Sequence, residues 1–184
     1  MTSFEFTDKK YLFDTYLFHS NARVLSLLTI PHLPSGSTHK IILDSTIFHP
    51  QGGGQPSDIG NVKIYDGEER MEGDNCHKFE VKIVLTNSSN VVEHYGIPSP
   101  SFEEVLLRQL SVVGEGVVMC GLIVDEERRL LSARLHSAGH CLDVAMERLG
   151  FASRLKPAKV KTKDIYAHTI LLSHSFPLIQ YMYF

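Results

Sequence analysis

The chain has 184 residues, 43% hydrophobic and 21% charged, with a formal net charge of -3 and a pI near 6.3. That length holds one ordinary domain or two small ones with a core, and the charge balance excludes a wholesale basic footprint, so any nucleic-acid contact has to be local. No apolar run approaches the ~20 residues of a membrane span. Three cysteines, Cys76, Cys120 and Cys141, form no CxxC. The acidic, aromatic start MTSFEFTDKKYLFDTYLF fits neither a secretion signal nor an organelle presequence, so a cytoplasmic protein with free thiols is expected.

In chain order, residues 22–30, ARVLSLLTI, and 40–48, KIILDSTIF, are short apolar and β-branched runs around the punctuating loop PHLPSGSTH, which predicts two strands. The next loop, His49 to Gly60, reads HPQGGGQPSDIG and leads to a strand at 61–65. Its three successive glycines permit positive φ and close approach of another group, or simply a flexible hairpin. A P-loop needs Lys and Ser or Thr after the last Gly, whereas Gln55 and Pro56 stand here, and the dinucleotide fingerprint does not fit either. Further runs at 78–85, 91–95 and 117–124 complete the pattern of a small antiparallel barrel, with 101–110, SFEEVLLRQL, as a short helix or an irregular crossing.

A long helix follows over 125–149, with Asp125 as N-cap, Glu126 and Glu127 in the first turn and Gly150 just past the end. Leu131, Leu135, Ala138, Leu142, Ala145 and Leu149 alternate at spacings of four and three and are expected to be its buried face. His136 and His140 share one flank of it and can converge on one metal ion; the plain alternative is a pair of half-buried histidines satisfied by carbonyls. The zinc-protease signature needs Glu directly after the first His, and Ser137 stands there, which argues against that class. Asp143, on the same flank, is either a partner for a ligand imidazole or a solvated carboxylate.

The strand, the PQGGGQP loop, a second strand, then DEERR leading into RLHSAGH resemble, in that order, the alanyl-tRNA editing proteins (AlaX), free-standing relatives of the editing region of alanyl-tRNA synthetases. The match covers roughly residues 10 to 159. The resemblance implies an α+β architecture: a glycine-motif antiparallel β-barrel similar to one in translation factors over 1–115, then the start of an α/β editing domain over 116–159. It implies zinc-dependent hydrolysis of the ester joining serine or glycine to alanine tRNA, with tRNA as partner and no membrane. It also implies His136 and His140 as two of four zinc ligands, and Gln51, Gly52, Gly53, Gly54 and Gln55 as a loop near the tRNA end or active site. It assigns no catalytic base, and it leaves the oligomeric state open. The editing-type region of threonyl-tRNA synthetases shares an HxxxH element, but the preceding glycine barrel favours the alanyl type.

The sequence departs from the family after Lys159. The other two ligands of the family site are a downstream Cys and His, yet Cys141 is the last cysteine and residues 160–184 run VKTKDIYAHTILLSHSFPLIQYMYF. A shortened product that leaves the family frame near Val160 is therefore expected, making the metal site incomplete. His168 and His174 are available imidazoles, but six residues apart they fit no single helical face. Arg154, Lys156, Lys159, Lys161 and Lys163 can meet tRNA phosphates or form a solvated linker. The competing function, favoured by the missing Cys, is a non-catalytic isoform that keeps the barrel as a weak tRNA- or protein-binding module.

Overall fold

The computed structural model describes residues 6–30, 36–65, 76–112 and 118–150. The chain divides into two compact units, one of residues 1–51 with 57–130, the other of residues 52–56 with 131 onward. The sequence readings that fall at 151–184, including Arg154, Lys156, Lys159, Lys161, Lys163, His168 and His174, lie outside the described residues.

The first unit is a barrel. Its strands are β1 (Asp8–Lys9), β2 (His19–Thr29), β3 (His39–Leu43), β4 (Ser45–Thr46), β5 (Gly60–Tyr65), β6 (Cys76–Thr86), β7 (Val92–Pro98) and β8 (Val118–Val124), with helix α1 at Pro100–Val112. Six of them close in the order β2-β3-β7-β6-β5-β8, every neighbour antiparallel. Closure leaves no open edge to pair with another chain. The short strands β1 and β4 pair in parallel outside the barrel.

Alternation of side chains puts the core inside. Val62 and Ile64 of β5, and Val118, Cys120, Leu122 and Val124 of β8, point inward, while the residues between them face out. In β6 the inward positions jump from Val81 to Val84, because the register against β7 shifts between Val81 and Ile83. An extra residue at such a bulge reverses the alternation, and here it keeps both valines in the core.

The segment 101–110 is part of a 13-residue helix, α1. Its Phe102, Val105 and Leu106, at spacings of three and one, join the barrel core, and the Phe102 ring lies 5.7 Å from that of Phe79.

At Gly96 two backbones touch. A Cβ there would lie 1.9 Å from Glu80 O and 2.8 Å from Phe79 Cε1. Gly96→Ala must push β6 from β7, and we expect it to cost about 1–3 kcal/mol in urea unfolding; a variant as stable as the parent would show that the two strands separate freely.

The long helix is α2 (Glu126–Arg148), with Asp125 Oδ1 accepting the Arg128 N–H at 2.9 Å as its cap. The expected buried stripe is for the most part exposed: Leu131, Leu142 and Leu149 are 51%, 36% and 69% exposed and Leu135 alone of its members is half-buried, whereas Arg129 and Ser132 are buried. Arg129, in the first turn of the helix, is held by a carboxylate and three carbonyls of the first unit. Among the described residues no helix is long and apolar enough to cross a membrane.

Candidate functional site

The glycine-rich loop has a braced base. Asp58 N–H donates to His49 O at 2.9 Å, and His49 N–H donates to Asp58 Oδ2 at 2.6 Å. The same carboxylate oxygen receives Arg129 Nε–H at 3.0 Å and a second bond from the Arg129 Nη2 amine. Arg129 then donates through Nη1 to Thr15 O at 3.2 Å and Leu17 O at 3.3 Å, and through Nη2 to Ile47 O. Both partners of the ion pair are 2% exposed. The planar fork of an arginine suits this task, since one group meets the buried Asp58 carboxylate and Ile47 carbonyl together with the part-buried carbonyls of Thr15 and Leu17. The Phe18 ring lies 5.8 Å from Arg129 Cζ and covers it.

The neighbouring His49 ring meets Tyr11 edge-on, 5.1 Å between centroids, and its Nδ1 is buried without a hydrogen-bond partner. Burial raises the pKa of the Tyr11 phenol above its ordinary value, so the hydroxyl is neutral.

The second unit contains the loop tip and the histidine pair. Gly52 and Gln55 exchange backbone bonds, Gly52 N–H to Gln55 O at 3.2 Å and Gln55 N–H to Gly52 O at 2.9 Å. Between them Gly53 and Gly54 have φ of 58° and 89°. Positive φ at both central residues defines a two-residue hairpin turn that glycine adopts without strain. Gln51, on the barrel side, holds Val84 O through its backbone N–H at 2.9 Å and is exposed.

On α2, His136 and His140 turn their Nε2 atoms toward each other at 3.0 Å, with ring planes 84° apart. One imidazole N–H donates to the other's lone pair. Two nitrogens on one tetrahedral zinc with 2.0–2.1 Å bonds stand about 3.3–3.4 Å apart, so a small widening would let both rings hold the same ion. A Cβ on Gly53 would lie 3.9 Å from His136 Cε1, so the bare tip of the hairpin abuts the first histidine. Among the described residues no third His, Cys, Asp or Glu completes a metal-binding group. Asp143 and Cys141 are both exposed, and Asp143 makes no hydrogen bond to either ring.

Arg129 and Asp58 are the residues that motif reading passes over. Asp58 stands in the glycine stretch and Arg129 in DEERR, but no local spacing connects two residues so far apart in the chain. Only closure of the barrel does.

A closed antiparallel barrel followed by a helix with a convergent histidine pair, beside a glycine hairpin, is the class of module the geometry defines. The sequence places it near one group of proteins. The chain is 31% identical over 161 residues, 88% of its length, to an alanine–tRNA ligase of Pyrobaculum neutrophilum. It is 35% identical over 126 residues to one from Neorickettsia sennetsu, covering 67% of the chain, and 34% identical over 111 residues to one from Methanosarcina acetivorans, covering 60%. It spans 14%, 12% and 10% of those three ligases, so the likeness is to one region of each. No protein-family model matches the chain.

Proposed function

We propose that this chain is an alanyl-tRNA editing module of the cytoplasm, acting on alanine tRNA that carries the wrong amino acid, serine or glycine, and hydrolysing the ester between them. The observation that carries the reading is the histidine pair, His136 and His140, 3.0 Å apart at Nε2 and abutted by the glycine hairpin. Zinc, held in part by these two imidazoles, would supply polarisation of the ester or activation of water. The chain's own contribution is positional. His136 and His140 set the ligand direction, and the tip at Gly53 and Gly54 carries no side chain to exclude an aminoacylated tRNA end.

A second reading is favoured by the ligand count. Two imidazoles leave a zinc ion short of protein donors, and among the described residues no third His, Cys, Asp or Glu joins them. On that reading the chain is a non-catalytic module that binds tRNA or protein through the barrel.

Elemental analysis of tag-free protein, beside a His136→Ala/His140→Ala double variant, separates the two. The editing reading expects about one zinc per chain in the parent, none in the variant, and hydrolysis of seryl-tRNA for alanine by the parent alone. Absence of zinc and of hydrolysis in both would discard it in favour of the binding module.

A further inference from the structure

The apolar stripe of α2 has the spacing of a coiled-coil seam. Leu131, Leu135, Ala138, Leu142, Ala145 and Leu149 follow one another at four, three, four, three and four residues, so a heptad with its a positions at 135, 142 and 149 has its d positions at 131, 138 and 145. Leu135 is half-buried and the other five are exposed. Leucines and alanines facing water over roughly three heptads are what another helix covers, knobs into holes.

One flank of the stripe is as open as its centre. Glu127, Arg134, Cys141 and Arg148 occupy the g positions, and all four are exposed. The two buried residues of the helix, Arg129 and Ser132, lie on the opposite side of the stripe from this flank.

The charges on the g flank select the occupant. In an antiparallel pair of identical helices, a packs against d and g faces g of the other helix. With α2 fully overlapped on α2 of a second copy, Leu131 meets Leu142 and Leu135 meets Ala138, each contact made twice by the two-fold symmetry. In that register Glu127 faces Arg148 of the second copy, again twice, and Arg134 faces Cys141. Sliding the second helix by one heptad sets Arg134 against Arg148 in one direction and against its own counterpart in the other. A parallel pair, in which g faces e, forms no ion pair and stacks Arg128 on Arg128 at an a position. Antiparallel packing also sets the positive end of each helix dipole beside the negative end of the other.

We propose that this stripe is a homodimer interface, with α2 packed antiparallel over its full length on α2 of a second copy and Glu127 and Arg148 pairing across it at both ends. His136 and His140 stand at b and f, outside the seam, so the dimer leaves the candidate metal ligands uncovered and does not depend on the editing reading.

Sedimentation equilibrium of the full chain at about 5–200 µM tests it. One helix pair is smaller than a standard interface of about 1,600 Å², so a monomer–dimer equilibrium with Kd on the order of 10 µM is expected. Leu142→Lys buries a cation in two layers of the seam and should raise Kd more than about tenfold. Leu142 is exposed in the single chain, so the helical circular dichroism and urea midpoint of that variant at about 1 µM should match the parent. Glu127→Arg and Arg148→Glu, each alone, should raise Kd about three- to tenfold at about 50 mM salt, and the two together should restore it. A chain monomeric throughout the range, its stripe covered by its own residues or reserved for another protein, would overturn the proposal. So would a dimer indifferent to Leu142→Lys, or charge variants whose combination restores nothing.

Discussion

Arg129→Met is expected to destabilise the protein by at least about 3–5 kcal/mol, the usual result of stranding one half of a buried ion pair. The side chain is replaced by one of similar length, so little packing volume is lost; what remains is an unpaired Asp58 carboxylate that is 2% exposed. Three carbonyls, of Thr15, Leu17 and Ile47, lose their donor at the same time, and the buried one, of Ile47, adds to the loss. Asp58→Leu in the Arg129→Met background should recover part of the loss by removing the orphan charge. It should not recover all of it, because His49 N–H then loses its carboxylate and the carbonyls remain bare. A double-mutant cycle in urea measures both statements. Amide exchange at His49 and Asp58 should quicken in Arg129→Met, since their mutual bonds close the base of the loop. A loss below about 1 kcal/mol, with slow exchange retained, would mean that the barrel alone holds the loop and the arginine is dispensable.

That pair also marks where the sequence stops being readable. The barrel was legible because each strand buries one face: alternation at 61–65 and 117–124 is visible as Val62, Ile64, Val118, Cys120, Leu122 and Val124, all now inward. The helix at 125–149 was legible from its cap and acidic first turn, and it spans Glu126–Arg148. Periodicity, however, reports which residues share a face and not which face turns in. On α2 the apolar stripe was the natural choice for burial, yet of its members Leu135 alone is half-buried; Arg129 is buried instead, placed by carbonyl and carboxylate hydrogen bonds that no pattern encodes. The short parallel pair β1 and β4 was missed for a similar reason. Two-residue strands carry no period, and their pairing of Asp8 with Ser45 depends on where the barrel brings the chain. At the candidate site the spacing of His136 and His140 predicts shared direction, while the abutment of Gly53 against His136 is tertiary and no spacing in the sequence foretells it.

The protein should lose about 3 kcal/mol of stability between pH 6.5 and pH 4 through one residue, His94. Its ring is fully buried in the barrel, and burial pushes its pKa from 6.5 down to about 4, against an opposing hydrogen bond to Ile41 O. The neutral form is fixed by its partners. Nδ1–H donates to Ile41 O at 3.3 Å, Thr46 Oγ1–H donates to Nε2 at 2.8 Å, and the same hydroxyl oxygen accepts the Phe48 N–H at 3.0 Å. A second proton would put a charge in the dry barrel interior and force the Thr46 hydroxyl to turn its O–H away, and burial is what disfavours it. Below pH 6.5 the unfolded chain takes up a proton that the folded chain refuses, so stability is complete above that value and falls as pH drops toward 4. The carboxylates act lower. Burial raises Glu93, but hydrogen bonds from Tyr95, Lys40 and Asn87 outweigh it and hold the group below its ordinary value, so its contribution is lost beneath the histidine window. Urea unfolding from pH 7 to 4 should therefore show a slope approaching ~1.4 kcal/mol per pH unit within the window. His94→Leu should start about 1–3 kcal/mol less stable, from the unmet Thr46 and Ile41 groups, and run flatter down to pH 4.5. A parent as flat as the variant would show that His94 takes its proton inside the barrel. The expected slope would mean instead that acid loosens Thr46 and Phe48, the residues that lead the chain into the glycine loop.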